Sequence, residues 1–202
     1  MRGYLEVRYE KGKFYVYRQG VLNAYLVDGK VMLANPSEVI TNDDEIETRV
    51  YADSRVVVTD QAYSKVLSRS SVKVANFFEG KEILFLPHPI IFYDRANALF
   101  EGTFRLERGG VIVEAFTLGR KGHGEVFKEG KVKVATKVYV EGELKVYDVF
   151  RNVDEEYKRT MGKESLLTVY RVDGDVEVER IIVPGEELDK EFKKLESSLG
   201  LH

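Results

Sequence analysis

The stretch KVKVATKVYVEGELKVYDVF, residues 131–150, alternates apolar and polar residues on both sides of a Glu-Gly dipeptide. Such alternation places every second side chain on one face of a strand, and a turn-forming dipeptide between two such runs is typical of a β-hairpin. The arrangement recurs where NAYLV and KVMLAN flank Asp28-Gly29, and where LLTVYRV and DVEVERIIV meet at Asp173-Gly174. The pattern predicts a mostly β protein: a many-stranded antiparallel β body with short helices.

Two further glycine-containing pairs punctuate the middle of the chain. Glu79-Gly80 precedes the runs ILFLP and HPIIFY, and Gly109-Gly110 separates TFRLE from VIVEAF. Because such pairs favour turns, we expect a turn at each position. No fixed-period repeat with a shared motif is visible, and helical segments do not alternate with strands, which excludes a Rossmann-type fold.

Two segments depart from the strand pattern. DQAYSKVLSRS, residues 60–70, fits either a short helix or an irregular loop. The charged segment 151–164 is either a connecting loop or a boundary between two units. We expect a β body, residues 1–150, and a small C-terminal α+β appendage, residues 151–202, within one domain. In EELDKEFKKLESSLGLH, four apolar residues at helical spacing predict a C-terminal amphipathic helix: Leu188, Phe192, Leu195 and Leu199.

Composition limits the classes of function. Of the 202 residues, 44% are hydrophobic and 32% charged, which is typical of a globular chain. Acidic residues outnumber basic ones, 34 to 31, so nucleic acid is not an expected partner. The chain has no cysteine, which excludes thiolate metal sites, and no apolar run of the roughly 18 residues that a membrane span needs. We expect a cytoplasmic protein with no membrane partner.

Motifs for catalysis or tight metal binding are missing from the sequence. The three histidines, His88, His123 and His202, have no metal-binding spacing, and no serine lies in a GxSxG motif. The glycine-rich segment GRKGHG, residues 119–124, lacks the Lys-Ser/Thr pair and helix of a phosphate-binding loop, which favours a tight turn or bulge. We do not expect an enzyme, although a hydrolase built from Asp or Glu pairs on distant strands is an alternative.

One carboxylate stands out because it interrupts an apolar strand. In VIVEAF, Glu114 shares a strand face with Ile112 and Phe116. A buried carboxylate needs a partner or water. Glu114 is therefore either a paired strut, with Arg120 as a candidate partner, or a group that faces a wet internal passage. Other carboxylates end strands or turns, and together they allow a series of weak oxygen ligands: Asp43, Asp44, Glu45, Asp60 and Asp94.

Three segments, in this order, resemble blocks of one protein family. They are RVVVTDQAYSKVLSRS at 55–70, LPHPIIFYDRANALFEGTFRL at 86–106, and VIVEAFTLGRKGHGEVFKEGKVKVATKVYVEGELKVYDVF at 111–150. The first is similar to a strand, Thr, turn, Ser-Lys, Arg-Ser block, the second to a Leu-Pro-x-Pro block, and the third to a strand, acidic residue, Leu-Gly-Arg, Gly-Glu block. All three are similar to those of the UreD family, also called UreH, of urease accessory proteins.

The resemblance implies a mostly β scaffold that is not an enzyme. Such a protein acts in nickel insertion into apo-urease, with UreF-type and UreG-type accessory proteins as partners. It implies transient Ni²⁺ in a water-filled passage and no tightly bound cofactor. Weak oxygen ligands suit a site that must release its ion. A β-barrel that binds a small apolar ligand is the alternative, because the sequence is rich in tyrosine and phenylalanine.

The resemblance also implies site residues. Asp44, Glu114 and Glu125 would line the passage or contact nickel transiently. Arg120 would orient Glu114 or Glu125, and the first block adds Thr59, Ser64 and Lys65, of which Ser64 and Lys65 would shape a polar turn. The blocks require no histidine at His88 or His123. The chain departs from the family in having ITNDDEI where the family has a Gly-Gly-Asp turn, and in a short region after residue 150.

Overall fold

The computed structural model of the chain describes residues 2–200, so His202 lies outside the described residues. The chain is mostly β and ends in a helix, as predicted. The strands are β1 Arg2–Glu10, β2 Lys13–Gln19, β3 Asn23–Val27, β4 Lys30–Ala34, β5 Val39–Ile40, β6 Glu45–Asp60, β7 Ser64–Val66, β8 Ser71–Leu86, β9 Ile90–Phe92, β10 Asn97–Arg120, β11 Glu125–Val126, β12 Lys131–Val140, β13 Glu143–Val153, β14 Ser165–Asp173 and β15 Asp175–Val183; the α-helices are α1 Tyr157–Thr160 and α2 Gly185–Ser198, and a 3₁₀ turn spans Lys121–His123.

Long bent strands wind the chain into stacked coils with three faces. The first face has the strand order β2-β1-β6-β8-β10-β12-β13. The second uses the later parts of β6, β8 and β10, in the order β3-β4-β6-β8-β10-β14-β15. The third consists of β5-β7-β9 and the end of β10. The inward side chains of all three faces form the main core.

The predicted antiparallel pairing is correct for the hairpins and for β10 with β14. Neighbouring coils pair in parallel, for example β6 with β8 and β8 with β10. The expected turns at Glu79-Gly80 and Gly109-Gly110 were wrong, because both pairs lie inside a continuous strand, at a corner between two faces. A Cβ on Gly110 would lie 2.0 Å from the Ile83 carbonyl oxygen, so this corner needs glycine.

The coils repeat in space, although no repeated motif is visible in the sequence. Ser64 pairs with Ile90, and Ile90 pairs with Phe116, so each coil here advances by 26 residues. What the coils share is an alternation of inward apolar residues and a bend, not particular residue types. Stacking therefore depends on register between coils, which alternation within one strand does not reveal.

Helix α2 is amphipathic, as predicted, and covers the outer side of the second face. Its residues Leu188, Phe192 and Leu195 pack against apolar side chains of β8, β10 and β14. Burying each of these side chains stabilises the helix by about 1.5–3 kcal/mol. The segment 60–70 contains the short strand β7 and no helix. The division into residues 1–150 and 151–202 within one domain stays a prediction.

Candidate functional site

A cavity lies inside the coils, where the three faces approach one another. Its volume is about 140 Å³, which leaves room for several water molecules. Most of its lining is apolar, from Leu5, Ile46 and Phe100 among others. Polar groups also reach it, from Thr48, Asn76, Ser64, Asp60, His88 and Glu114. We call it the central cavity.

Two surface pockets share walls with the central cavity. The outer pocket, of about 260 Å³, shares Asp60, Gln61 and His88 with it. The lateral pocket, of about 170 Å³, lies between β13 and β15 and shares Glu114 with it. The outer pocket, central cavity and lateral pocket therefore lie in series, and each of the two partitions between them carries a carboxylate.

The first partition is a contact between Asp60 and His88. Asp60 ends β6 and His88 follows β8, and the parallel register that pairs Thr59 with Leu86 brings them side by side. Asp60 Oδ1 lies 2.6 Å from His88 Nδ1 and accepts the His88 backbone N–H at 2.8 Å. Thr59 supports this register, because its hydroxyl donates to the Leu86 carbonyl oxygen at 2.8 Å.

Helix α2 closes over this partition. The His88 ring contacts the rings of Tyr63 and Phe192, and the Tyr63 hydroxyl donates to Asp189 of α2. The hydrogen bond with Asp60 raises the pKa of His88, and burial raises the pKa of Asp60. The pair thus retains a proton more readily than the two side chains would in water.

The second partition is a chain of polar side chains centred on Glu114. Thr136 of β12 donates to Glu114 Oε1. The Tyr170 hydroxyl, on β14, lies 3.0 Å from Glu114 Oε2 and 2.8 Å from Asp148 Oδ2. Arg180 of β15 lies 2.5 Å from the other oxygen of Asp148. This chain of side chains comes from five strands, β12, β10, β14, β13 and β15, and runs from the interior to the lateral pocket.

Burial raises the pKa of Glu114, although Thr136 and Tyr170 donate to it. The nearby Asp148 carboxylate raises this pKa further. Burial also raises the pKa of Tyr170, so the phenol keeps its proton. The Tyr170 hydroxyl has one proton and cannot donate to two ionised carboxylates at once. When Glu114 is protonated, it donates to the Tyr170 oxygen and Tyr170 donates to Asp148, so both contacts are hydrogen bonds. The partition is therefore a place where a proton and a cation can compete.

Three of the predicted site residues lie on these cavities. Glu114 lies in the second partition, Thr59 lines the outer pocket, and Ser64 lines the central cavity. Lys65 lies next to Ser64 on β7, and its ammonium group lies 3.2 Å from Glu38 Oε2. Ser64 and Lys65 thus belong to a strand and not to a turn.

The other predicted residues lie apart from Glu114. Asp44 is buried in the turn before β6 and accepts the Thr41 backbone N–H at 2.9 Å. Glu125 is exposed on β11, opposite Arg120. The Arg120 guanidinium donates to the Tyr93 hydroxyl at 3.4 Å, and within residues 2–200 it forms no ion pair with Glu114 or Glu125. The orienting role of Arg120 stays a prediction.

The glycine-rich segment at the end of β10 forms a turn. Gly119 and Gly124 have positive φ angles, and the 3₁₀ turn between them contains the exposed His123. A Cβ on Gly119 would lie 2.6 Å from the Glu125 carbonyl oxygen. The geometry agrees with the tight turn that the sequence favours over a phosphate-binding loop.

Sequence reasoning missed Asp148, Tyr170 and the pairing of Asp60 with His88. Asp148 could have been found, because it alternates with the apolar residues Val146 and Phe150 in one strand, as Glu114 does in another. The contact between Asp60 and His88 depends on the register between two coils, and the sequence carries no local signal for it.

The described residues contain neither a metal cluster nor a membrane-spanning helix. In the part of the chain that the structure describes, no group of three or more His, Cys, Asp or Glu side chains could hold a metal ion. None of the described helices is long and apolar enough to cross a membrane.

Comparison with protein families matches residues 27–178 to the UreD urease accessory protein family. The matched range contains Asp60, His88, Glu114, Asp148 and Tyr170. It leaves out β1, β2, all of β3 except Val27, the end of β15 with Arg180, and α2. No curated protein matches the chain. Since the family match spans most of the 202 residues, the chain belongs to the UreD family of urease accessory proteins.

Proposed function

We propose that this protein is a cytoplasmic scaffold, not an enzyme, through which Ni²⁺ passes on its way into apo-urease. Its partners are UreF-type and UreG-type accessory proteins and apo-urease itself. The observation that carries the proposal is the series of three cavities with a carboxylate in each partition. Family membership supports the urease accessory role, and the cavities support the route of the ion.

The size of the central cavity favours an ion over an apolar ligand. Pockets for small molecules usually measure about 300–1,000 Å³, whereas this cavity measures about 140 Å³. The strand order is also open at both ends, unlike that of a closed barrel. Both observations argue against the alternative of a β-barrel for a small apolar ligand.

The chemistry of the partitions suits transient binding. Carboxylate, hydroxyl and single imidazole groups hold Ni²⁺ more weakly than a thiolate or multi-histidine site. Conduction needs binding that permits both arrival and departure. At the second partition, Glu114 and Asp148 approach from either side of Tyr170, so a cation that displaces the shared proton meets oxygen ligands on both sides. Nickel is then cargo, and no cofactor is tightly bound.

The predicted residues differ in their distance from this route. Glu114, Asp148 and Asp60 contact the ion in turn, and Thr59 and Ser64 line its route. Transient nickel contacts by Asp44 and Glu125 stay predictions, since both lie outside the three cavities.

The test is urease activation together with complex formation. The chain is coexpressed with UreF-type and UreG-type proteins and apo-urease, and copurification and urease activity are measured. We expect Glu114→Ala to copurify normally and to lower activation about tenfold or more. Full urease activation by this variant would contradict the nickel route. Failure of the wild-type chain to copurify with these partners would contradict the scaffold role.

Glu125→Ala serves as the matched comparison. It removes a carboxylate of the same type from an exposed strand outside the cavities. A loss of activation with Glu125→Ala alone places the route at the glycine-rich turn. A loss with Glu114→Ala alone supports the route through the interior.

A further inference from the structure

The exposed apolar side chains of the protein concentrate at the two ends of the stack of coils. In the described part of the chain, every large hydrophobic residue that is well exposed lies at one end or the other. One set lies on β2, on β3 and between them: Tyr15, Val16, Tyr17, Val21, Tyr25, Leu26 and Val27. The other set lies on β13 and β15: Leu144, Tyr147, Val149, Val178 and Ile182. Exposed apolar patches of this kind mark interaction surfaces.

Both ends also present free strand edges. β2 and β3 are the outermost strands of the first and second faces at one end, and β2 contacts β3. We call residues 13–27 the leading end. β13 and β15 are outermost at the other end and contact each other. We call residues 143–153 and 175–183 the trailing end. Unpaired strand edges are templates for pairing with another chain.

The two ends differ in charge. The leading end carries Lys13 and Arg18 and no carboxylate. Both are exposed, and neither forms an ion pair within residues 2–200. The trailing end carries five carboxylates and three cations, and its Glu177 is exposed and likewise makes no ion pair in the described chain. The leading end is therefore complementary to the trailing end and repels a copy of itself.

We propose that the chain binds a second copy of itself end on, with the leading end of one copy on the trailing end of the next. This contact places β2 beside β13 and β3 beside β15, so that both faces continue from copy to copy. It buries apolar side chains of both ends, opposes unlike charges and covers the lateral pocket, which Val149 and Ile182 help to line, so in the proposed function only a copy with a free trailing end passes nickel through that pocket. Because the two surfaces differ, the contact is heterologous and leaves a free end on each assembly, so that growth continues with concentration.

Charge reversal tests the proposal. Sedimentation velocity of the purified full chain over a range of concentrations, at low and high salt, gives the dissociation constant of the contact. We expect a mass that rises with concentration and falls with salt. Lys13→Glu with Arg18→Glu reverses the leading end, and Asp175→Lys with Glu177→Lys reverses the trailing end. Each pair alone raises the dissociation constant about tenfold or more.

The combined variant is the decisive one. With both ends reversed the charges are again complementary, so association returns to within about threefold of wild type. The control is Lys190→Glu with Lys193→Glu, which changes the net charge by the same amount as the leading-end reversal. Both lysines are exposed on α2, away from both ends, so we expect this variant to associate as the wild type does. Thermal unfolding midpoints confirm that each variant is folded.

Several results would overturn the proposal. A wild-type chain that stays monomeric at all concentrations in low salt rules it out, and so does assembly that stops at a dimer, which indicates a two-fold contact. If all the reversed variants are folded and the combined variant still fails to associate, the two ends do not meet.

Discussion

The Tyr170 hydroxyl lies 3.0 Å from Glu114 Oε2, inside the body of the protein. The same hydroxyl contacts Asp148, whose other oxygen pairs with Arg180 at the lateral pocket. A single phenol therefore links an interior carboxylate to one at the surface. A carboxylate that is buried but connected in this way can exchange a proton or a cation with the outside, which an isolated strut cannot do.

Replacing Tyr170 with Phe breaks this link and keeps the ring. We expect the free energy of unfolding to fall by about 1–2 kcal/mol, because Asp148 loses a hydrogen-bond donor and the protonated Glu114 loses an acceptor. Urease activation should fall several-fold. Urea denaturation and the coexpression assay measure the two effects, with Tyr147→Phe at an exposed tyrosine as the control. Unchanged stability would show that the two contacts are not hydrogen bonds.

Neutralising Glu114 should change how stability depends on pH. The pKa of Glu114 is raised in the folded state, so its contribution is present below the unfolded value of about 4.5 and is lost as pH rises through the folded pKa. The free energy of unfolding of the wild type should therefore fall, relative to that of Glu114→Gln, as the pH rises above about 4.5. Denaturation series at several pH values measure this difference. A constant difference would contradict a raised pKa.

Removing His88 should be costlier than neutralising its partner. His88→Ala takes the side-chain donor from the half-buried Asp60 and the ring contact from Phe192, so we expect the free energy of unfolding to fall by about 2 kcal/mol. Asp60→Asn keeps an acceptor for both His88 donors, and we expect a loss of about 1 kcal/mol. A double-mutant cycle gives the coupling. If the losses of stability from the two single variants add up in the double variant, the interaction between Asp60 and His88 contributes nothing to stability.

The glycine-rich turn offers a prediction about the backbone. Gly119 has a φ of +81° and no room for a Cβ, so Gly119→Ala should destabilise the chain by about 2 kcal/mol or more. Gly122 has neither constraint, so Gly122→Ala should change stability by less than about 0.5 kcal/mol. Thermal or urea unfolding compares the two. Equal effects would contradict the turn geometry.

Alternation and helical spacing were enough to predict the hairpins, the amphipathic α2 and the inward side of Glu114. They could not predict how coils stack, because glycine pairs at a corner inside a strand look the same in sequence as pairs in a hairpin turn. Gly80 and Gly110 are the clearest cases. The error in pairing direction then hid the contact between Asp60 and His88, which follows from parallel register.

The same limit applies to the residues of the candidate site. Glu114 was predicted from its own strand, and Asp148 was within reach of the same reasoning. Tyr170 was not, because only the packing of β14 against β10 shows that its hydroxyl lies between the two carboxylates. A residue that stands out within its own strand, such as Glu114, can be found from the sequence. Tyr170 cannot, because its role depends on contacts with two other strands.

The most direct test of the nickel route is to fill the central cavity without touching its carboxylates. Thr48 is buried and lines the cavity, so Thr48→Phe should occupy the space, while Thr48→Val keeps it open at nearly the same volume. The measurement is nickel incorporated into urease by complexes that copurify normally. We predict that nickel incorporation falls at least about tenfold with Thr48→Phe and stays at the wild-type level with Thr48→Val. Normal incorporation by a folded Thr48→Phe variant would contradict the account.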